Sequence, residues 1–111
     1  MKLSIRTETS EEALVVHVGG DLDVYTAPRL KETLAKALVD GRRLVVDLSE
    51  VHFIDSTALG VLVSAQEQSQ AADGDLRLVM DDPYLLKIFH ITGFDGMFSI
   101  YPEVARALSG D

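Results

Sequence analysis

Within Leu44-Val45-Val46-Asp47-Leu48 no Gly, Pro or turn residue interrupts a nearly all-apolar run, and this short segment limits the folds open to the chain more than any other. A strand with one face in water alternates apolar and polar residues, whereas a strand apolar at successive positions is covered on both faces. The run therefore predicts the middle strand of a sheet with further elements packed on it.

The flanking segments supply those elements. Leu3, Ile5 and Thr7 alternate with polar residues, and after the acidic turn at Glu11-Glu12 comes Ala13-Leu14-Val15-Val16-His17-Val18, ended by Gly19-Gly20. These read as two strands of a hairpin. Thr26 is placed to cap a helix with Pro28 in its first turn, and Leu30, Leu34, Ala37 and Leu38 then recur at helical spacing until Asp40-Gly41. Ser49 to Ile54 leads into a second helix from about Ser56 to Ala72, which stops at Asp73-Gly74. Leu76 to Met80 reads as a strand, and the turn Asp81-Asp82-Pro83 opens a helix through Leu85, Leu86, Ile88 and Phe89. Phe98 to Tyr101 is a last short strand, and Pro102 starts a helix through Val104, Ala105 and Leu108. The order β-β-α-β-α-β-α-β-α predicts an α/β fold, a single-layer mixed β-sheet packed with helices, with no internal repeat and no linker long enough for a second domain.

At 111 residues the chain suits one domain, which at this size buries roughly two-thirds of the surface its unfolded form exposes. An apolar fraction of 47% and a charged fraction of 25% exclude a largely disordered chain. With no cysteine there is neither a disulfide framework nor a thiolate metal site, which suits a reducing cytosol. No apolar stretch approaches the roughly 18 residues of a membrane span, and Met1-Lys2-Leu3-Ser4 does not begin a signal peptide, so a cytoplasmic protein is expected. The formal charge of −8 opposes binding to nucleic acid or to an anionic membrane and favours a basic protein surface as partner. From Leu44 to Leu76 there is no Lys or Arg, while Asp47, Glu50, Asp55, Glu67, Asp73 and Asp75 are acidic, a pattern that a solubilising surface also explains.

Asp55, Ser56 and Thr57 stand where an apolar strand-and-turn segment meets the start of a helix. A helix start leaves backbone N–H groups unpaired and carries roughly half a positive charge, so on residue chemistry alone Ser56 reads as a cap. The same junction tolerates an anion: phosphorylation would add about −1.5 to −2 charges where the helix favours them. The fold would survive, and the added bulk and charge beside Asp55 would be felt by a partner. Ala58-Leu59-Gly60-Val61-Leu62-Val63 is apolar all round, so it is either deeply buried or partly offered to that partner. Gly60 costs about 1 kcal/mol relative to Ala inside a helix, which calls for a reason such as close approach of another backbone.

Catalysis has little support. There is no Gly-x-Ser-x-Gly elbow for Ser56, and His17, His52 and His90 are scattered. No His pair has metal-ligand spacing, Asp21/Asp23 and Asp81/Asp82 lack a calcium-loop pattern, and Gly19-Gly20 is not a phosphate loop. Neither an enzyme nor a bound metal or cofactor is expected.

Gly20-Asp21-Leu22-Asp23-Val24-Tyr25-Thr26-Ala27, then Val45-Val46-Asp47-Leu48, then Phe53-Ile54-Asp55-Ser56-Thr57-Ala58-Leu59-Gly60-Val61-Leu62, resembles the STAS domain of bacterial anti-sigma factor antagonists. Ile91-Thr92-Gly93-Phe94 followed by Met97-Phe98 carries the resemblance over essentially the whole chain. It implies one STAS domain over residues 1–111 that, unmodified, binds an anti-sigma factor serine kinase of GHKL type and frees a sigma factor. The kinase phosphorylates the serine after the Asp, by motif position Ser56, and a PP2C-type phosphatase resets the switch. Thr57 is a second candidate phosphosite. The docking surface implied comprises Asp21, Asp23, Thr26, Asp55, Ser56, Thr57, Ala58, Leu59 and Gly60, although Asp23 and Thr26 also read as turn and cap chemistry. Ala58 departs from the Gly of many members and is expected to put a methyl at the docking edge. Scaffold or accessory STAS subunits of stressosome-type, lipid-transport or nucleotide-sensing systems are the alternative, but with no appended membrane or sensor domain the chain resembles a free-standing antagonist.

Overall fold

The apolar run lies, as its pattern requires, where both faces are covered: Val45 and Val46 point to opposite sides of the sheet and each is 0% exposed. A computed structural model of the chain describes residues 2–110, so that Met1 of the first four residues and Asp111 of the single-domain span 1–111 lie outside the described residues. The elements in order are β1 (Leu3–Thr9), β2 (Ala13–Leu22), α1 (Ala27–Asp40), β3 (Arg43–Ile54), α2 (Ser56–Ala71), β4 (Leu76–Val79), α3 (Pro83–Ile91), a 3-10 turn at Phe94–Gly96, β5 (Ser99–Tyr101) and α4 (Val104–Ser109). They match the predicted order, with the 3-10 turn added.

One five-stranded sheet runs β1-β2-β3-β4-β5, with β3 in the middle. β1 and β2 are antiparallel, as a hairpin demands, and the remaining pairs are parallel because a helix crosses over between each. Leu44, Val46 and Leu48 enter the larger core with Leu30 and Leu34 of α1, Leu62 of α2 and Leu85 and Phe89 of α3. Phe89 meets Phe98 edge to face at 5.7 Å. Val45 turns the other way and joins Val15 and Val79 beneath Ala107 of α4.

Because α4 has only six residues, it needs more than its apolar side to stay in place. Arg77 Nη1 donates to the Ala107 carbonyl and Arg43 Nη1 to the Leu108 carbonyl, each at 2.7 Å. Both guanidinium groups also bond the Asp75 carboxylate, at 2.9 and 3.0 Å. Partial burial pushes the Asp75 carboxyl up, but the hydrogen bonds from Arg77 and Arg43 outweigh it and hold the group below its ordinary value.

Two strands are longer than their apolar runs. β2 continues through Gly19-Gly20 to Leu22 because the glycines make a register shift within the strand rather than an end. Gly20 has φ +97°, and a Cβ there would lie 2.1 Å from the Lys2 carbonyl oxygen. β3 likewise runs on to Ile54, pairing with β2 up to Leu22↔Ile54. The expected lead into the second helix is therefore strand. At the other end Pro102 precedes α4 rather than starting it.

Gly20→Ala is expected to destabilise the protein by about 2–3 kcal/mol, through positive-φ strain and the clash with Lys2. Chemical denaturation of both proteins checks it.

Candidate functional site

β2 and β3 end side by side, and Asp55 N–H donates to the Leu22 carbonyl at 2.9 Å. Their two exits, Asp23 to Thr26 and Asp55-Ser56, therefore share one edge of the sheet. In open parallel sheets this edge, beyond the carboxyl ends of the strands, is where loops form binding sites.

Asp55 keeps extended backbone, φ −106° and ψ 178°, and its Oδ1 accepts from the Ala58 N–H at 3.0 Å. The cap of α2 is thus Asp55, and the expectation that Ser56 caps the helix is corrected. The carboxylate one residue upstream, still outside the helix, reaches the orphan N–H that a serine already inside the first turn cannot. Ser56 is the first residue of α2, exposed, with no hydrogen-bond partner for its hydroxyl among the described residues. Thr57 beside it is exposed as well.

Thr26 also departs from its expected role. It occupies the residue before α1 but has helical backbone angles and makes no side-chain cap bond. Its hydroxyl instead accepts from the Asp23 N–H at 2.9 Å and donates to the Asp21 carbonyl at 2.8 Å. Asp23 Oδ1 accepts the N–H groups of Tyr25 and Thr26 at 2.9 and 3.0 Å. Asp23 and Thr26 are both buried, so they shape the loop from within rather than meet a partner directly.

Three further residues sit differently from expectation. Ala58 and Leu59 are buried, so the Ala58 methyl belongs to the core and not to a docking edge. Gly60 is exposed, and a Cβ added to it would meet nothing within 4 Å, so no close backbone approach explains it. Of the nine predicted docking residues the edge presents Asp21 and Asp55, both half-buried, with Ser56, Thr57 and Gly60 in the open.

Sequence reading missed the apolar part of this edge. Tyr25 is 85% exposed and Val24 53%, both on the loop that Asp23 and Thr26 hold, while Phe53 is 39% exposed and pairs with Asp21 in the strand register. The signal was partly present, since Val24-Tyr25 falls between a strand and a helix cap and serves neither periodicity.

The histidines lie elsewhere. His17 Nδ1 is 2.7 Å from Asp47 Oδ2 and Nε2 is 2.9 Å from Glu8 Oε1, within the β1–β2–β3 part of the sheet. Burial pushes the Asp47 carboxyl up, yet bonds from Ser49 and His17 prevail and hold it below its ordinary value. The hydrogen bond with His17 likewise lowers Glu8. His90 pairs with Asp95 at 2.9 Å at the end of α3. Among the described residues no imidazole hydrogen-bonds Ser56, and no group of three or more His, Asp or Glu is placed to hold a metal ion.

The family model described as STAS domain matches residues 4–107. The chain belongs to the STAS domain family. An anti-sigma-B factor antagonist of Staphylococcus aureus is 36% identical over 101 residues, which are 90% of this STAS domain chain and 94% of the relative. The anti-sigma-B factor antagonist of Bacillus subtilis is 32% identical over 100 residues, 90% and 92% of the two chains. A crystal structure of an anti-sigma factor antagonist from Mycobacterium paratuberculosis superposes with a TM-score of 0.90 at 30% identity, covering 98% of this chain and 93% of that one. The expected α/β fold and family are therefore correct.

Two measurements check this geometry. Asp55→Ala is expected to cost about 1 kcal/mol of stability through the lost cap, whereas Ser56→Ala stays within about 0.5 kcal/mol. The second concerns acid. Because its folded pKa lies below the ordinary value, Asp47 stabilises the native state fully above about pH 4, and this is lost as pH falls through the folded value. The gap in melting temperature between the parent and Asp47→Asn should therefore narrow as pH is lowered from about 5 to 2.

Proposed function

We propose that this STAS domain is an anti-sigma factor antagonist: unmodified, it docks on an anti-sigma factor serine kinase of GHKL type, and phosphorylation of Ser56 blocks docking. The observation that carries the reading is the division of labour at the start of α2, where Asp55 caps the helix and the exposed Ser56 hydroxyl has no internal duty. A phosphate there adds about −1.5 to −2 charges at a helix N-terminus, which accepts them, so the fold is kept while the surface changes. The charge arrives beside Asp55, on a chain already at −8. It repels or obstructs a partner matched to the unmodified surface.

In this reading Asp21, Asp55, Ser56, Thr57 and Gly60 form the contact, with Val24, Tyr25 and Phe53 as apolar anchors. Asp23 and Thr26 position the loop, and Ala58 and Leu59 support the helix from below. A PP2C-type phosphatase restores Ser56, and Thr57 is the second candidate for modification. The domain spans residues 1–111 and works in the cytoplasm without catalytic activity. No helix among the described residues is long and apolar enough to cross a membrane.

Incubation with the cognate kinase and ATP should label Ser56 by mass spectrometry, and a label confined to another residue overturns the mechanism. In a binding assay Ser56→Asp should weaken kinase binding at least tenfold while its melting temperature moves by no more than a few degrees. Tyr25→Ala should weaken it by about 1–3 kcal/mol, as expected of an exposed aromatic anchor at an interface.

A further inference from the structure

β1 forms one edge of the sheet and β5 the other, but the two edges are built differently. β5 has three residues, a short edge of the kind that discourages pairing with another chain, whereas β1 has seven, with no proline and no register shift against β2. The direction of its backbone groups is fixed at both ends. Asp21 N–H donates to the Lys2 carbonyl at 3.1 Å and Ser10 N–H to the Ala13 carbonyl at 2.9 Å, so the even-numbered residues of β1 turn their backbone groups toward β2. Leu3, Ile5, Thr7 and Thr9 therefore turn theirs outward, away from the sheet. Arg29 Nη1 donates to the outward Leu3 carbonyl at 3.0 Å. For the backbone groups of Ile5, Thr7 and Thr9 there is no such partner among the described residues.

The side chains of this edge decide what fits it. Arg6 and Glu8 are exposed on one face of the strand, 3.8 Å apart. If a copy of β1 runs antiparallel alongside, with Thr7 opposite Thr7, Arg6 of each strand falls directly opposite Glu8 of the other. Ile5 falls opposite Thr9, so every outward N–H and C=O of Ile5, Thr7 and Thr9 gains a partner. Shifting the centre by one residue either way sets Arg6 against Arg6 or Glu8 against Glu8, and like charges directly opposite are destabilising. Thr7 and Thr9 are exposed, and beside Thr7 an open cleft of about 300 Å³ is lined by Lys36 and Asp40 of α1, so the approach is clear.

We propose that β1 is the interface of a symmetric dimer, in which the β1 strands of two copies pair antiparallel about a two-fold axis at Thr7 and join the two sheets into one. The proposal does not rest on the kinase reading. β2 runs on from Val16, opposite Thr7, to Leu22, so the Ser56 edge lies roughly 20 Å along the strand from the axis and stays open in each copy. With one strand as the contact and a charge of −8 on each copy, the dimer is weak, with a Kd on the order of 0.1 mM at physiological ionic strength.

Sedimentation equilibrium over a concentration series tests this, and a reversible monomer–dimer equilibrium is the expected result. Thr7→Pro removes an outward N–H that the β1–β2 ladder does not use, a change that edge strands tolerate, and should weaken the dimer at least tenfold. Arg6→Glu, at an exposed site, sets like charges opposite each other twice and should weaken it similarly, which decides the matter even if Thr7→Pro does not fold. The register is read by cross-linking, since the chain has no cysteine of its own. Under mild oxidation Thr7→Cys should form a disulfide-linked dimer at least tenfold faster than Thr9→Cys, which would lie roughly 13 Å from its counterpart across the axis. Monomer alone up to about 1 mM, ten times the expected Kd, overturns the proposal. So does a dimer left intact by Arg6→Glu or by a folded Thr7→Pro protein, which would use another surface, or cross-linking as fast at Thr9→Cys as at Thr7→Cys.

Discussion

Two-sided burial of β3 is the constraint on which the rest of the structure depends. A strand with Val45 on one side and Val46 on the other, both without access to water, requires a cover on each face of the sheet. α1, α2 and α3 provide the larger cover, with Leu30, Leu34, Leu62, Leu85 and Phe89. The smaller comes from Ala107 of a six-residue helix that two arginines, themselves bonded to Asp75, strap down by its carbonyl groups. Burying β3 also decides where its end emerges, and that end delivers Asp55 and Ser56 to the sheet edge.

The polar groups of the molecule divide along the same lines. On the less covered face His17 lies between Asp47 and Glu8, tying β1, β2 and β3 together where α4 does not reach. Hydrogen-bonded in this way, half-buried charge is tolerated in place of a second apolar layer. At the sheet edge where β2 and β3 end, Asp23 and Thr26 turn their polar atoms inward and hold a loop whose apolar residues, Val24 and Tyr25, turn outward. Inverting the usual arrangement of polar and apolar groups leaves an exposed apolar patch on this loop, which the proposed function uses as the anchor for a partner.

In the proposed mechanism capping and switching fall to different residues. Were Ser56 the cap, its modification would remove a bond that holds the start of α2. Because the Asp55 carboxylate makes that bond, Ser56 is left with no structural duty, and its environment is the positive end of a helix. Under the proposed function a covalent change there would alter what a partner meets, while Ala58, Leu59 and Leu62 lie beneath in the core.

Element order, the central position of β3, the hairpin and the motif around Ser56 were all legible in the chain, because each rests on local periodicity, on turn residues, or on a short pattern of residues in order. The resemblance that singled out Ser56 is likewise written in contiguous residues. Tertiary structure alone decided which neighbour performs which task. Whether Asp55 or Ser56 caps depends on one residue's backbone angles, and whether Thr26 caps or braces depends on where Asp21 and Asp23 fold back. Whether Ala58 meets a partner or the core depends on the rotation of α2 against the sheet, and the open space beside Gly60 on how far α1 stands from α2. Sequence determines propensity and pattern along the chain, whereas burial is a property of the packed ensemble of elements, so the exposed Tyr25 and the buried Ala58 could be told apart only after packing.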